Sequence, residues 1–358
     1  MSAGLQDPAN PDEMVQMAQD TPLPPRQQLL RITGQVMLAR CLGIAAELGI
    51  ADLIEPTPLS APDLAISTKS HGPSVYRLLR YLAATGIFSE DADGRFRNTE
   101  TSQLLRSGVA GSMRDSVRQS WQDMTWDTFR NLPHTIKTGE PAFTKAFGAD
   151  FFDYLAAHPD VGARFDAAMA MQSAPENHSV AAAYPFGDAK MVVDIGGGRG
   201  GFMATLLKAN PNVRGTLFDQ AHVLAQPNHV RDAGLAPRCE MVVGNFFERI
   251  PNGGDVYVLK RILHDWDDST AIRILKNCAA AMNSSAKLIA VDAVIKPGND
   301  PDPNKALDVG IMALLRGRER TADEFEKIYK AAGLRLTRII PTPAPSTMSL
   351  VEGVVAPA

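Results

Sequence analysis

The hydrophobic rhythm of the chain changes along its length. From Gln27 to Ile54 the apolar residues Leu29, Leu30, Ile32, Val36, Met37, Cys41, Ile44, Ala45 and Leu48 recur at intervals of three and four, which predicts an amphipathic helix. It is very apolar for a helix facing water, so a partner helix from a second subunit is expected against it. Ser60 then caps a short helix with Pro62 in its first turn, and His71-Gly72-Pro73 leads into a second helix from Val75 to Ala84. Gly86 ends that helix, and Asp91-Ala92-Asp93-Gly94 between Ile87-Phe88 and Phe96 signals a hairpin. Helix, turn, helix and hairpin outline a winged helix. Residues 112–183 read as mostly helical. Beyond them apolar strands at 190–195, 214–218, 240–243, 255–259, 287–293 and 334–340 are separated by helices or loops, the pattern of a mostly parallel α/β sheet covered on both faces. The run Met348 to Val355 follows the 334–340 strand after a Pro-rich link too short for a helical crossover, so this last pair should be antiparallel.

At 358 residues the chain can hold two cores. The expected division is a flexible arm (1–25), a winged-helix-like region (26–110), a helical connector (111–185) and an α/β domain (186–358). Hydrophobic content of 45% and charged content of 21% suit a soluble globular protein. A net charge of −4 offers no general attraction to nucleic acid or to an anionic membrane. The second helix of the winged region carries only Arg77 and Arg80, and the hairpin carries Glu90, Asp91 and Asp93, which disfavours a DNA-groove reader. No run of eighteen apolar residues and no leader pattern is present, so neither a membrane nor export is expected. Cys41, Cys239 and Cys278 are scattered, as free thiols in a reducing compartment would be. Together these features point to a cytoplasmic enzyme.

The strongest candidate chemistry lies at Val192-Val193-Asp194-Ile195-Gly196-Gly197-Gly198-Arg199-Gly200-Gly201, where an apolar strand with one acid runs into a glycine turn and then a helix. Such a turn brings backbone N–H groups against a nucleotide-type ligand. The spacing Gly196-x-Gly198-x-x-Gly201 with Asp219 further on also fits a dinucleotide site. Asp194 argues against that option, because it would repel a pyrophosphate and could instead meet a ligand's amino group.

Six segments in order resemble the S-adenosylmethionine (SAM)-dependent small-molecule O-methyltransferases, plant caffeic-acid-type and bacterial. They are Ala45-Ala46-Glu47-Leu48-Gly49-Ile50-Ala51-Asp52, Tyr76-Arg77-Leu78-Leu79-Arg80 through Phe88, the glycine turn, Gly244-Asn245-Phe246-Phe247, Leu259-Lys260-Arg261-Ile262-Leu263-His264-Asp265-Trp266, and Gly317-Arg318-Glu319-Arg320-Thr321. The resemblance covers residue 27 to the C-terminus. It implies a Rossmann-like SAM methyltransferase sheet with an antiparallel last strand pair, preceded by a winged-helix-like dimerisation domain. It also implies a homodimer, SAM as cofactor with S-adenosylhomocysteine as product, and no metal. The implied cofactor contacts are Gly196 and Gly198 at the methionine part, Asp219 at the ribose, Asn245 and Phe246 at the adenine, and Lys260 with Ser173 at the methionine end. The family has Asp where this chain has Asn245.

The resemblance makes His264 the base that takes the acceptor's proton. Its other ring nitrogen would be held by acids at Asp292 and Glu319, Asp292 being one methylene shorter than the family's Glu. A phenol titrates near ~10 and an imidazole near ~6.5, so full proton transfer before attack would cost about 5 kcal/mol. Met169, Met312, Trp121, Trp126, Phe147 and Asp265 are candidates for a pocket holding a small aromatic substrate. The reading is phenolic O-methylation of a small aromatic metabolite. The alternative is a relative that keeps SAM but decarboxylates, hydroxylates or catalyses a pericyclic reaction; keeping His264 favours methylation.

Overall fold

A computed structural model describes residues 23–120 and 122–357, the side chains of residues 166, 167 and 170–172 excepted. Most of the expected arm and Trp121 therefore lie outside the described residues. The chain forms two compact units, one up to Gln122 and one from Asp123.

In the first unit, α1 (Pro25–Glu47) ends short of the expected Ile54. Gly49 takes the left-handed conformation (φ 68°), and Ile50–Leu53 forms a separate short helix. The amphipathic expectation also needs correction. Leu29, Leu30, Val36 and Met37 are all more than half exposed, and only Gly43, Ala45 and Ala46 of α1 are buried. By length and composition α1 is apolar enough to cross a bilayer, with a mean hydropathy of 1.3 in its most apolar window, contrary to the expectation that no segment would be. Two helices follow, α2 (Ala61–Thr68) and α3 (Gly72–Ala84). The Ser60 hydroxyl and the Asp63 carboxylate close a capping box at the start of α2. α3 begins three residues before the expected Val75, because Pro73 suits a first helical turn. Strands β1 (Leu59–Ser60), β2 (Phe88–Glu90) and β3 (Arg95–Asn98) form a small sheet in the order β1-β3-β2, which is the wing. Ile50, Leu64, Leu79, Leu82, Phe88 and Phe96 fill this unit's core.

The second unit opens with short helices and the long α4 (Pro159–Ala183). Seven strands then build one sheet: β4 (Met191–Ile195), β5 (Arg214–Asp219), β6 (Cys239–Val243), β7 (Val256–Lys260), β8 (Lys287–Asp292), β9 (Leu334–Pro341) and β10 (Ser349–Val355). Their order is β6-β5-β4-β7-β8-β10-β9. β4 to β8 pair in parallel, and β10 lies antiparallel to both β8 and β9. The antiparallel last pair agrees with the sequence, but the insertion of β10 between β8 and β9 was not foreseeable from it. Both faces are buried. Val192, Val258, Ile289 and Val291 face a core shared with α4 and α5 (Gly201–Ala209). Val193, Tyr257, Leu259, Leu288 and Ala290 face a core shared with α6 (Asp268–Ala281) and α8 (Ala322–Ala331). A further helix, α7 (Pro303–Leu314), lies between β8 and α8 in sequence. The direction of strand succession reverses between β4 and β7, and such a switch point opens a crevice at the carboxyl ends of the strands.

One buried acid ties the antiparallel end of the sheet to α4. The Glu352 carboxylate on β10 accepts from Tyr184 Oη (2.7 Å), Thr337 Oγ1 (2.6 Å) and Arg338 Nη2 (3.0 Å). Burial alone would raise this carboxyl, but the bonds from Arg338, Thr337 and Tyr184 outweigh it and bring it down to about 2. A carboxyl depressed in the folded state stabilises above its ordinary pKa and loses that contribution as pH falls towards the depressed value. Glu352→Gln should therefore cost on the order of 2–4 kcal/mol at pH 7. Thermal unfolding of both proteins from pH 7 to pH 2 should show the gap closing below about pH 4.5; a constant gap would refute the assignment.

Candidate active site

The crevice at the strand ends contains a cavity of about 1060 Å³. That exceeds the usual ~300–1,000 Å³ of a single small-molecule site. The glycine turn forms one wall. Gly196 and Gly198 adopt φ of 67° and 58°, which an L side chain resists. A Cβ on Gly197 would sit 2.4 Å from Leu217 Cδ1 and 2.5 Å from Asp194 Oδ2, so the turn needs glycine there as well. Asp194 ends up fully buried against the cavity, and neither carboxylate oxygen has a hydrogen-bond partner. Burial pushes its carboxyl up to about 7 despite the pull of Lys260. A buried orphan carboxylate facing a cavity is a site for a ligand cation or N–H donor.

Asp219 closes β5, and its Oδ2 accepts the Gly198 N–H at 2.8 Å while Oδ1 accepts the Gln220 N–H at 2.7 Å. It braces the turn and does not line the cavity surface itself. Ser173 and Lys260 do line the cavity. Asn245 lines a separate, smaller hollow of about 470 Å³ with Phe218, Val242 and Glu248. Its Oδ1 accepts the Phe247 N–H at 2.9 Å, so this side chain is engaged in its own turn. Phe246 lies 3.6 Å from where a Gly196 Cβ would stand and packs edge-on to Phe247.

Past the end of β7 the backbone makes an unusual step. Arg261 takes φ 55°, and its guanidinium grips Glu176 of α4 through Nε (3.0 Å) and Nη2. Lys260 Nζ shares the same carboxylate at 3.6 Å. Burial would raise Glu176, but the two cations hold it below the ordinary range. Neither Glu176 nor Arg261 was singled out in the sequence. The left-handed residue after a strand end was the one local oddity, and a φ value is invisible there.

His264 does not end the strand itself; it sits on the following 3₁₀ turn, Leu263–Asp265, and is 5% exposed. Its Nδ1 donates to Glu319 Oε1 at 2.7 Å, which leaves Nε2 towards Asp265 Oδ1 at 3.4 Å. Asp308 Oδ1 accepts the Glu319 N–H at 2.8 Å and so places that acid. Asp292 is 3.9 Å from Nδ1, and both its oxygens lack hydrogen-bond partners. The missing methylene is felt: Asp292 contributes field but no hydrogen bond. Burial would lower the imidazole, but Asp265, the Glu319 bond and Asp292 prevail and lift it to about 9. Burial raises Asp265 to about 6 and also raises Asp292.

Elsewhere the wall is mixed: Phe151, Phe152, Phe165, Met169, Ile311 and Leu314 give it an apolar part, and Asn177, His178, Arg199 and Lys208 a polar one. Of the pocket candidates, Met169 and Asp265 line this cavity. Met312, Trp126 and Phe147 do not line it. Phe147 packs instead against Phe143 and Tyr154, and Trp126 is 41% exposed. Periodicity marks these side chains as apolar without showing which way they face.

Two family profiles match the chain: the O-methyltransferase dimerisation domain over residues 30–108 and the O-methyltransferase domain over residues 129–335. A phenazine O-methyltransferase of Lysobacter antibioticus is 40% identical over 325 residues, covering 90% of this chain and 94% of that one. The mitomycin biosynthesis 6-O-methyltransferase of Streptomyces lavendulae is 37% identical, covering 85% and 87%. The crystal structure of an O-methyltransferase from neocarzinostatin biosynthesis, in complex with SAM and 2-hydroxy-5-methyl naphthoic acid, aligns with a TM-score of 0.77 at 32% identity, covering 89% of this chain and 96% of that one. Other relatives are named for N-methylation. With both domains matched and the SAM-type turn and switch-point crevice in place, the chain belongs to the O-methyltransferase family and is a SAM-dependent O-methyltransferase.

Proposed function

We propose that this enzyme methylates a phenolic hydroxyl of a small aromatic secondary metabolite, with His264 as general base, as a cytoplasmic homodimer. The observation that carries the reading is the His264–Glu319 pair at 2.7 Å on the cavity wall, with Nε2 on the side of Asp265, which lines the same wall. Glu319 fixes the tautomer and stabilises the imidazolium, while Asp265 and Asp292 raise the basicity. A base lifted to about 9 lies much nearer a phenol at ~10 than an ordinary imidazole at ~6.5 does, so most of the unfavourable transfer disappears. The apolar wall holds the ring, and Phe152 is itself stacked on Trp266 at a centroid distance of 5.7 Å.

The donor set fits SAM, which supplies a methyl group already activated for displacement. Asp194, with two unpartnered oxygens, suits the ammonium of its methionine part. Gly196 and Gly198 let the backbone approach, and Ser173 and Lys260, both on the cavity wall, are assigned to the carboxylate; Asp219 is assigned to the ribose and Asn245 with Phe246 to the adenine, although none of these three lines that wall. The names of relatives that act on phenazine, mitomycin and naphthoate compounds support an aromatic acceptor.

Three expectations follow. In single-turnover methyl transfer to a phenol, His264→Ala should lose ~10²–10⁴-fold and Glu319→Gln less, with SAM affinity within a few-fold of wild type. Because the imidazole is lifted to about 9 and must be neutral to act, wild-type kcat/KM should climb with pH up to about 9 and then level. An unslowed His264→Ala would remove the base assignment. Calorimetry should show SAM binding weakened about tenfold or more by Asp194→Asn and by Asp219→Ala. Wild-type affinity should rise from pH 6 to pH 8 as Asp194 ionises, whereas Asp194→Asn should be flat; equal affinities would clear these acids of a cofactor role. Light scattering should give a particle of two 38.6 kDa chains, with the exposed Leu29–Met37 face of α1 at the interface. A persistent monomer at micromolar concentration would contradict the dimer.

A further inference from the structure

The 3₁₀ turn that carries His264 and Asp265 has little stiffness of its own. Its internal backbone bonds are long, Asp265 N–H to Ile262 O at 3.2 Å and Trp266 N–H to Leu263 O at 3.4 Å. Yet the imidazole sits at a defined 2.7 Å from Glu319. The rigidity comes from the segment that also bears Glu319. Arg320 is 1% exposed and spreads its guanidinium over the turn and the start of α6. Nη1 donates to Leu263 O at 2.8 Å, Nη2 to Trp266 O at 2.8 Å, and Nε to Asp268 Oδ1 at 3.0 Å. The two carbonyls bracket His264 and Asp265, one on each side.

Gly317 closes the same turn from another direction. A Cβ there would lie 2.0 Å from His264 O and 2.4 Å from the Asp265 carbonyl carbon, so the backbones touch and no side chain fits. The segment is itself anchored, with Ile295 N–H donating to Arg320 O at 3.0 Å and Glu319 N–H to Asp308 at 2.8 Å. Burying a guanidinium costs several kcal/mol, and the one carboxylate bonded to it, Asp268, is 49% exposed. Pure packing would be served more cheaply by an apolar side chain. The fork geometry is what an apolar side chain, or a lysine, cannot supply.

We propose that Arg320 is a positioning residue for methyl transfer: its guanidinium, with the Gly317 backbone, holds the 263–266 turn so that the His264 ring faces the acceptor while Glu319 holds Nδ1. Arg320 acts through His264 and touches no reacting atom, and the proposal rests on the base assignment made above. Misplacing a reacting group by about 1 Å can cost ~10²-fold in rate, so the effect should fall on the chemical step and not on binding.

The test compares Arg320→Lys, Asp268→Asn and His264→Ala with wild type in single-turnover methyl transfer to one phenol. SAM affinity, acceptor KM and thermal unfolding are measured on the same samples. Arg320→Lys keeps the charge but cannot bracket both carbonyls. It should show a full turnover amplitude, a rate lowered ~30–100-fold, and SAM affinity and KM within about threefold. Asp268→Asn removes the half-exposed leg and should slow the rate ~3–10-fold at unchanged melting temperature. A reduced amplitude with an unchanged rate in Arg320→Lys would mean a merely structural role and overturn the proposal. So would a wild-type rate in Asp268→Asn if Arg320→Lys does not fold. A slow His264→Ala beside an unslowed Arg320→Lys sinks only the role of Arg320, whereas an unslowed His264→Ala sinks the base assignment itself.

Discussion

Charge taken out of water is the constraint on which the working end of the sheet depends. Asp194, His264, Asp292, Glu319 and Arg320 are each no more than 5% exposed, and all lie at or beyond the carboxyl ends of central strands. A parallel sheet buried on both faces has no other place for polar groups, because its strands must be apolar along their length. Once gathered there, Asp194 and Asp292 resist ionisation, chiefly because burial penalises their charge. The molecule meets this in three ways: these two carboxyls hold their protons more tightly, the imidazole's proton affinity is lifted likewise, and Lys260, Arg261 and Arg320 are set nearby. Two carboxylates keep no hydrogen-bond partner: Asp292 lies beside the imidazole, and Asp194 faces the cavity. The Asp194 end and the His264 end are thus two answers to the same electrostatic problem, separated by the Lys260–Arg261 step.

Much of this was legible in the chain itself. The strands were plain because both their faces are buried, so each is a short apolar run bounded by turn residues. The glycine turn was plain because a strand, a turn that tolerates no side chain and a helix occur together. His264 and Glu319 were found through the motifs that carry them. Partnership was the part not written locally. An apolar run predicts a strand but not its neighbours, so the place of β10 between β8 and β9 was hidden. Glu176 and Arg261 meet across 85 positions, and nothing near either one announces the other. Asn245 could serve a ligand or its own backbone, and its side chain takes the Phe247 N–H. Met169 and Met312 looked alike in sequence, yet only Met169 lines the cavity. α1 has a helical apolar spacing whose covering surface is not in its own unit's core, since the pattern names a face and not what covers it.

The left-handed backbone at Arg261 has a consequence for how such a chain can change. An L side chain there costs roughly 1–2 kcal/mol relative to glycine, which would adopt φ 55° without strain. Glycine would relieve that strain but would strip Glu176 of the guanidinium, leaving Lys260 alone on a buried carboxylate. Breaking a buried charge pair costs about 3–5 kcal/mol, more than the strain relieved. Position 261 is therefore fixed by a residue 85 positions away and not by its own backbone: any change at Glu176 would remove the reason for arginine and leave the left-handed step to glycine.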